Sequence, residues 1–285
     1  MTAVPAWLDR SRWPHDVHSY TDPDGTMAFV DVGPPDAAPV VFVHGTPTWS
    51  IEWAAQLEGL PQRRCIAVDH LGFGLSSRPD VGYRPEDHAA RFSRFIQHLG
   101  LSDVTLVVHD FGGPIALPWA IANPDRVRHL VIVNTWGWSL DDVAHVARPA
   151  RVFGTGFGRW LYGTFNVSIE LLAATAWTDR QRWRQLLDQI RPVFPDYRSR
   201  TQVLWALAKS LLGSSSHYAS IEAGLSELSG VRRSVFWGTE DPAFPKTFRD
   251  RWLEHWPDAE RIDVAAGHWP HVEMPAPLIE HLRQN

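Results

Sequence analysis

Short apolar, β-branched runs recur along the chain, and each closes on a turn carrying Gly, His, Asn or Asp. Residues 40–43, 64–68, 104–108, 127–133, 232–237 and 259–264 are such runs, and each predicts a strand. Residues 27–32 alternate weakly and predict an earlier antiparallel strand, ended by the turn Gly33-Pro34-Pro35-Asp36. Helical patterns fall between the runs. In residues 87–99 the apolar positions are Ala90, Phe92, Phe95, Ile96 and Leu99, an amphipathic spacing. Residues 49–60, 115–122 and 246–256 also read as helices, as does the chain after Pro270. This alternation predicts the α/β class, with a mostly parallel sheet and helices on both faces. The rhythm stops over residues 139–216, a helical stretch rich in Trp, Arg, Phe and Tyr. That is too long for a loop, so it predicts an inserted helical cap on a core of residues 1–138 and 217–285.

The most informative turn is Val107-Val108-His109-Asp110-Phe111-Gly112-Gly113-Pro114. Strand, sharp turn and helix together make a nucleophile elbow, which lifts one side chain to the carboxyl end of the sheet. The lifted residue is Asp110. A carboxylate is ionised at neutral pH, needs no base to activate it, and suits attack on an sp3 carbon to give an ester. The bland alternative is a buried strand closed by an acidic helix cap. Ligands in an open α/β sheet bind outside the carboxyl ends of the strands. Thr46, Asp110, Asp241 and His268 each follow such an end. The His44-Gly45 pair would form the second wall of an oxyanion site, with the Thr46 and Phe111 amides as its donors and His44 as a structural residue.

Composition narrows the function. The chain has 285 residues, 44 % of them hydrophobic, enough for one α/β domain with an insertion. A net charge of −5 gives no electrostatic footprint for nucleic acid. The one cysteine, Cys65, falls in a predicted strand and allows no disulfide framework. The N-terminal stretch lacks a signal-peptide pattern and no run is long enough to span a bilayer, so a soluble cytoplasmic protein without membrane contact is expected. Fifteen tryptophans, several of them in the cap segment, offer large apolar side chains for a pocket.

His44-Gly45-Thr46-Pro47-Thr48-Trp49-Ser50, Asp69-His70-Leu71-Gly72-Phe73-Gly74-Leu75-Ser76, the elbow, Asn134-Thr135-Trp136 and Trp237-Gly238-Thr239-Glu240-Asp241 carry a resemblance over nearly the whole chain. Together they resemble the haloalkane dehalogenase family of α/β-hydrolases, and most of all its third subfamily. Some members of that group resemble β-lactone decarboxylases. The resemblance implies Asp110 as nucleophile, His268 as the base that activates water, and Asp241 as the acid that orients His268. In another subfamily the acid follows the strand at residues 127–133, but here Asn134 and Thr135 stand there. The resemblance also implies a small apolar substrate (a halogenated alkane, an epoxide or a lactone), water as co-substrate, and neither cofactor nor metal.

Two positions depart from the family. Its halide is held by an Asn and a Trp where this chain has Thr46 and Phe111. Trp136, Trp138 or a cap Trp such as Trp177 could supply an indole N–H instead, although core or cap packing is the favoured explanation of each. Epoxide hydrolases use two cap tyrosines, and the segment offers Tyr162, Tyr197 and Tyr218. Among competing bases, His109 is expected to point away from Asp110, and His271 falls in the first turn of the last helix. A non-catalytic binding protein on the same fold is the remaining reading, but it has no need of Asp110, Asp241 and His268 together. The cap is expected to supply most substrate contacts, with Trp177, Phe165 and Leu172 as test positions.

Overall fold

Eight strands form one sheet in the computed structural model, which describes residues 5–285. Residues 1–4, part of the stretch read above for a leader, lie outside it. The strands are β1 (His18–Asp22), β2 (Gly25–Val32), β3 (Pro39–Val43), β4 (Arg64–Val68), β5 (Val104–His109), β6 (Val127–Val133), β7 (Arg232–Gly238) and β8 (Glu260–Val264). Their order across the sheet is β1-β2-β4-β3-β5-β6-β7-β8. The β1–β2 and β2–β4 pairings are antiparallel and the rest are parallel. β3 and β5 are buried at every position, which explains why they read as unbroken apolar runs rather than alternating ones. β1 has no such signal. Its sequence, His-Ser-Tyr-Thr-Asp, is mostly polar because it lies at the sheet edge with much of it exposed.

In the first half of the chain the helices are α1 (Ala54–Gly59), α2 (Pro85–Leu99) and α3 (Gly112–Ala122). The expected helix over 49–60 is a tight 3-10 turn, Ser50–Trp53, that runs into the short α1. α3 is apolar and buried on nearly all sides because it packs between the sheet and α2.

Between β6 and β7 lie α4 (Ala144–Phe153), α5 (Gly156–Phe165), α6 (Arg180–Ile190), α7 (Tyr197–Ser199), α8 (Trp205–Gly213) and α9 (Ser215–Gly224), with wide π turns at Ser168–Ala173 and Arg200–Leu204. α9 straddles position 216 and packs against α3, so the helical run passes into the core layer within that helix. The chain ends with α10 (Lys246–His255), α11 (Pro270–Glu273) and α12 (Pro275–Gln284).

Candidate active site

β5 delivers Asp110 to the end of the sheet through a backbone that L-residues rarely adopt. Its φ is +50°, in the left-handed region. Such a conformation costs free energy and persists only where its surroundings hold it. Here the Asp110 amide donates to the Asn134 carbonyl at 3.2 Å, and the Thr135 hydroxyl donates to the Asp110 carbonyl. Two glycines are required by close approach. A Cβ at Gly45 would run into the Asp110 side chain, and one at Gly112 into the Val43 carbonyl.

The carboxylate is buried and held from two sides. The Thr46 amide donates to Oδ1 at 2.8 Å. His268 Nε2 faces Oδ2 at 3.5 Å. The Phe111 amide, the other expected oxyanion donor, makes no bond to this carboxylate at rest. His268 Nδ1 lies 2.7 Å from Asp241 Oδ2. Asp241 is buried at the end of β7, where the Ala243 amide donates to Oδ1 and Asn134 Nδ2 donates to Oδ2 at 2.8 Å. Asp110 therefore lies in one line with His268 and Asp241, which come more than 130 positions later in the chain.

Electrostatics follow from this geometry. Burial alone disfavours the imidazolium of His268. The Asp241 carboxylate beside it, with Asp110 on the other side, overcomes that and lifts its pKa to about 10. Burial likewise works against the charge on Asp241, but His268 and the Asn134 amide hold its pKa below the usual carboxylate value. The surroundings of His268 thus favour the charged form of its ring.

Asp110 and His268, with Asp241 behind the latter, line a cavity of about 310 Å³. Its walls are apolar and come from Phe111, from Phe153, Tyr162 and Leu172 of the helical segment, and from Phe244 and Trp269. Thr46 lines it too, and its Oγ1 is buried without a hydrogen-bond partner. The indole N–H of Trp269 is buried and unpartnered in the same way.

Some expected residues lie elsewhere. Trp136 does not line the cavity. It packs edge-on behind Phe111 at 4.9 Å and against Tyr218 and Phe244. Trp138 does not line the cavity either and packs at a tilt against Phe248 and Trp252. Trp177 is in a stack with Trp269 (5.0 Å, 14° between planes) and Trp183, which buries its ring behind the cavity wall. Phe165 faces solvent, while Leu172 reaches the cavity. Of the three tyrosines only Tyr162 lines the cavity. The Tyr218 hydroxyl is bonded to the Ser210 carbonyl at 3.0 Å, and Tyr197 is exposed.

His109 points away from Asp110, toward Glu52 Oε1 at 3.1 Å and the His268 carbonyl at 2.8 Å. His271 stacks on Trp53 at 4.0 Å, also on the far side from the cavity. His44 accepts the His70 amide at Nε2 and bonds the Gly45 carbonyl at Nδ1, as a structural residue would.

Three supporting groups were not anticipated. Glu52, fully buried, takes the Thr48 hydroxyl and His109, so the chain Thr48–Glu52–His109 ends on the backbone of His268. Burial opposes charge on Glu52, yet its imidazole neighbours His109 and His271 hold its pKa well below the ordinary value. Glu273 receives Gly267 at one oxygen (3.0 Å) and the Thr178 and Asp179 amides at the other (3.0 and 2.9 Å). It thereby ties the helical segment to the loop that carries His268. Asn134, set aside above because it is no acid, also accepts the Gly238 amide at 2.8 Å and so links β6 to β7 under Asp241.

Comparison with known proteins gives the family. Residues 38–275 match the model of the alpha/beta hydrolase fold. Haloalkane dehalogenase 2 of Mycobacterium tuberculosis is 31% identical over 260 residues, covering 90% of this chain and 89% of that protein. The chain belongs to the haloalkane dehalogenase family of α/β-hydrolases. It is a haloalkane dehalogenase-like hydrolase. A cis-3-alkyl-4-alkyloxetan-2-one decarboxylase of Shewanella oneidensis is more distant, 29% identical over 258 residues, or 86% of this chain and 80% of that one. A solved structure of DbjA superposes with a TM-score of 0.82 at 26% identity, covering 94% of this chain and 96% of DbjA. The haloalkane dehalogenase DbeA of Bradyrhizobium elkani shares the fold, with a TM-score of 0.81 at 24% identity over 94% of this chain and 99% of that one.

Proposed function

We propose that the protein displaces halide from small apolar haloalkanes through an ester on Asp110. The observation that carries this is the placement of Asp110 on the cavity wall, one oxygen held by the Thr46 amide and the other beside His268. In the first step a carboxylate oxygen bonds to the sp3 carbon while the carbon–halogen bond breaks and halide leaves. Making the ester removes the negative charge of Asp110, one of the groups that raise the His268 pKa. The imidazolium is then a stronger acid, gives its proton to solvent, and becomes a base. Water attacks the ester carbonyl carbon, Nε2 takes its proton, and the Thr46 N–H holds the oxyanion. Collapse frees the alcohol and restores the carboxylate. The sum is haloalkane plus water to alcohol, halide and a proton. The helices of residues 139–216 act as the cap that keeps the cavity dry, and the protein works in the cytoplasm.

The test is halide release from 1-chlorobutane, 1-bromobutane and 1,2-dibromoethane by the purified chain. The departing halide needs donors where its charge develops, and losing one typically costs ~3–4 kcal/mol, about 100- to 1000-fold in rate. With no Asn or Trp side chain at Thr46 and Phe111, slow release that favours bromide and iodide over chloride is expected. Thr46 and Trp269 line the cavity, and their unpartnered Oγ1 and Nε1 are the side-chain donors free to answer that need. The double variant Thr46→Asn, Phe111→Trp should raise chloride release, and fast chloride release by the unaltered chain would overturn this account of the leaving group. An epoxide reading loses ground, because only one of the three tyrosines lines the cavity. A lactone reading rests on the Shewanella relative, and the same screen with a β-lactone decides it.

Leu172 should set substrate size, because it lines the cavity from the helical segment. Leu172→Ala is expected to shift relative rates toward longer haloalkanes with little change in melting temperature, since the side chain is already partly exposed. Unchanged ratios across a chain-length series would place the selective wall elsewhere.

A further inference from the structure

The outer face of α4 and α5 is apolar, aromatic and cationic, and we propose that it docks on an anionic lipid bilayer. Phe157, Trp160, Phe165, Leu171 and Leu172 are between 37% and 59% exposed. The three aromatic rings are contiguous. Phe157 stacks on Trp160 at 5.8 Å, and Phe165 meets Trp160 edge-on at 5.2 Å. A water-soluble surface rarely spends three large aromatics side by side unless something covers them.

Charge selects the partner. Residues 143–169, which follow the exposed Asp141 and Asp142, contain no Asp or Glu but carry Arg148 and Arg151 at exposed positions, and Arg159 over the Tyr197 and Trp205 rings, in a chain whose net charge is −5. Among the described residues none of these arginines forms an ion pair with a carboxylate. The next acid along the chain, Glu170, is neutralised by Arg191 through contacts of 2.7 and 2.6 Å. A second copy meeting this face through the same patch would set like charges against each other. An anionic bilayer answers both features: aromatic rings settle at the headgroup boundary, and arginines reach the phosphates with their stems in apolar surroundings. A spanning segment is not required, so the lack of one in the sequence leaves this contact open.

The face also continues into the cavity. Leu172 is part of the exposed patch and part of the cavity wall, and the inner side of α4 adds Pro149, Ala150 and Phe153 to that wall. An apolar substrate dissolved in the bilayer would reach Asp110 along that path without crossing water.

The experiment is sedimentation of the full chain with phosphatidylcholine vesicles, with and without phosphatidylglycerol, at low and high salt. Expected is binding about tenfold or more stronger to the anionic vesicles, weakened by salt. The triple variant Phe157→Ser, Trp160→Ser, Phe165→Ser should lose binding to both. Arg151→Glu, a change at an exposed position, should lose only the anionic preference. Circular dichroism of each variant should match the unaltered chain. Binding readouts need no turnover, so they stand whether or not halide is released. No vesicle binding, equal binding to both lipids, or a concentration-dependent dimer abolished by Trp160→Ser would overturn the proposal, the last in favour of a second copy.

Discussion

His268→Gln should leave the first half of the reaction running and stop the second. The Gln amide can still donate to Asp241, so the buried carboxylate keeps a partner and the fold is spared an unpaired charge. It cannot take a proton from water. Asp110 keeps its Thr46 bond and its charge, so attack on carbon proceeds. Expected is a single burst of halide followed by a steady rate lower by roughly 100- to 10,000-fold, the usual worth of a general base. Intact-protein mass spectrometry should find the chain heavier by one alkyl group, and peptide mapping should place it on Asp110. A variant that turns over at the normal rate and stays unmodified would remove His268 from the mechanism. One that neither releases halide nor gains mass would put His268 in the first step as well.

The strands, and the strand ends that bring Asp110, Asp241 and His268 together, were legible because both leave short-range marks. A fully covered parallel strand is dominated by apolar residues, as β3 and β5 are, and β6 becomes so after the exposed Arg128 and the buried His129. A strained elbow must have small residues after it, hence Gly112 and Gly113. β1 left no mark because an edge strand with much of its length in water tolerates polar residues. The supporting groups left none either. Glu52 is an ordinary acid in a 3-10 turn until folding brings His109, 57 positions away, against it. Glu273 became a tie only through Thr178 and Asp179, from a helical segment whose packing has no period readable in one sequence. Trp177 was misplaced for a related reason. Indole rings prefer offset stacks, and the neighbouring Trp183 and Trp269 offered one, so its ring went into the wall instead of the cavity.

These supports share a consequence for the chemistry. The His268 loop is fixed on three sides: its amide by the Ala176 carbonyl at 2.9 Å, its carbonyl by His109, and the preceding amide by Glu273. Ring rotation is then the main freedom left to His268, and Asp241 restricts it. That makes Asp241 the residue on which base and tautomer depend together.

Asp241→Asn should therefore cost turnover by about 10,000-fold, the scale seen when the acid of such a trio becomes an amide. Asp241 Oδ2 accepts from both Asn134 and His268, and Oδ1 accepts from the Ala243 amide. An Asn has one accepting oxygen for these donors. Whichever way its amide turns, an N–H meets another N–H, and the simplest relief is for His268 to move its proton to Nε2. The lone pair that must take a proton from water is then gone. Titration gives a second readout that a merely structural role would not move. The Asp241 charge is the chief group raising the His268 pKa to about 10, so its loss should bring the imidazole midpoint down toward the ordinary 6.5. The sign follows: between those two pH values the ring is protonated in the resting unaltered chain and neutral in the variant. NMR of the imidazole carbon-bound protons across that range measures it directly. An unchanged midpoint, or a variant that hydrolyses the ester at the normal rate, would mean that another carboxylate serves His268, with the adjacent Glu240 the first to replace.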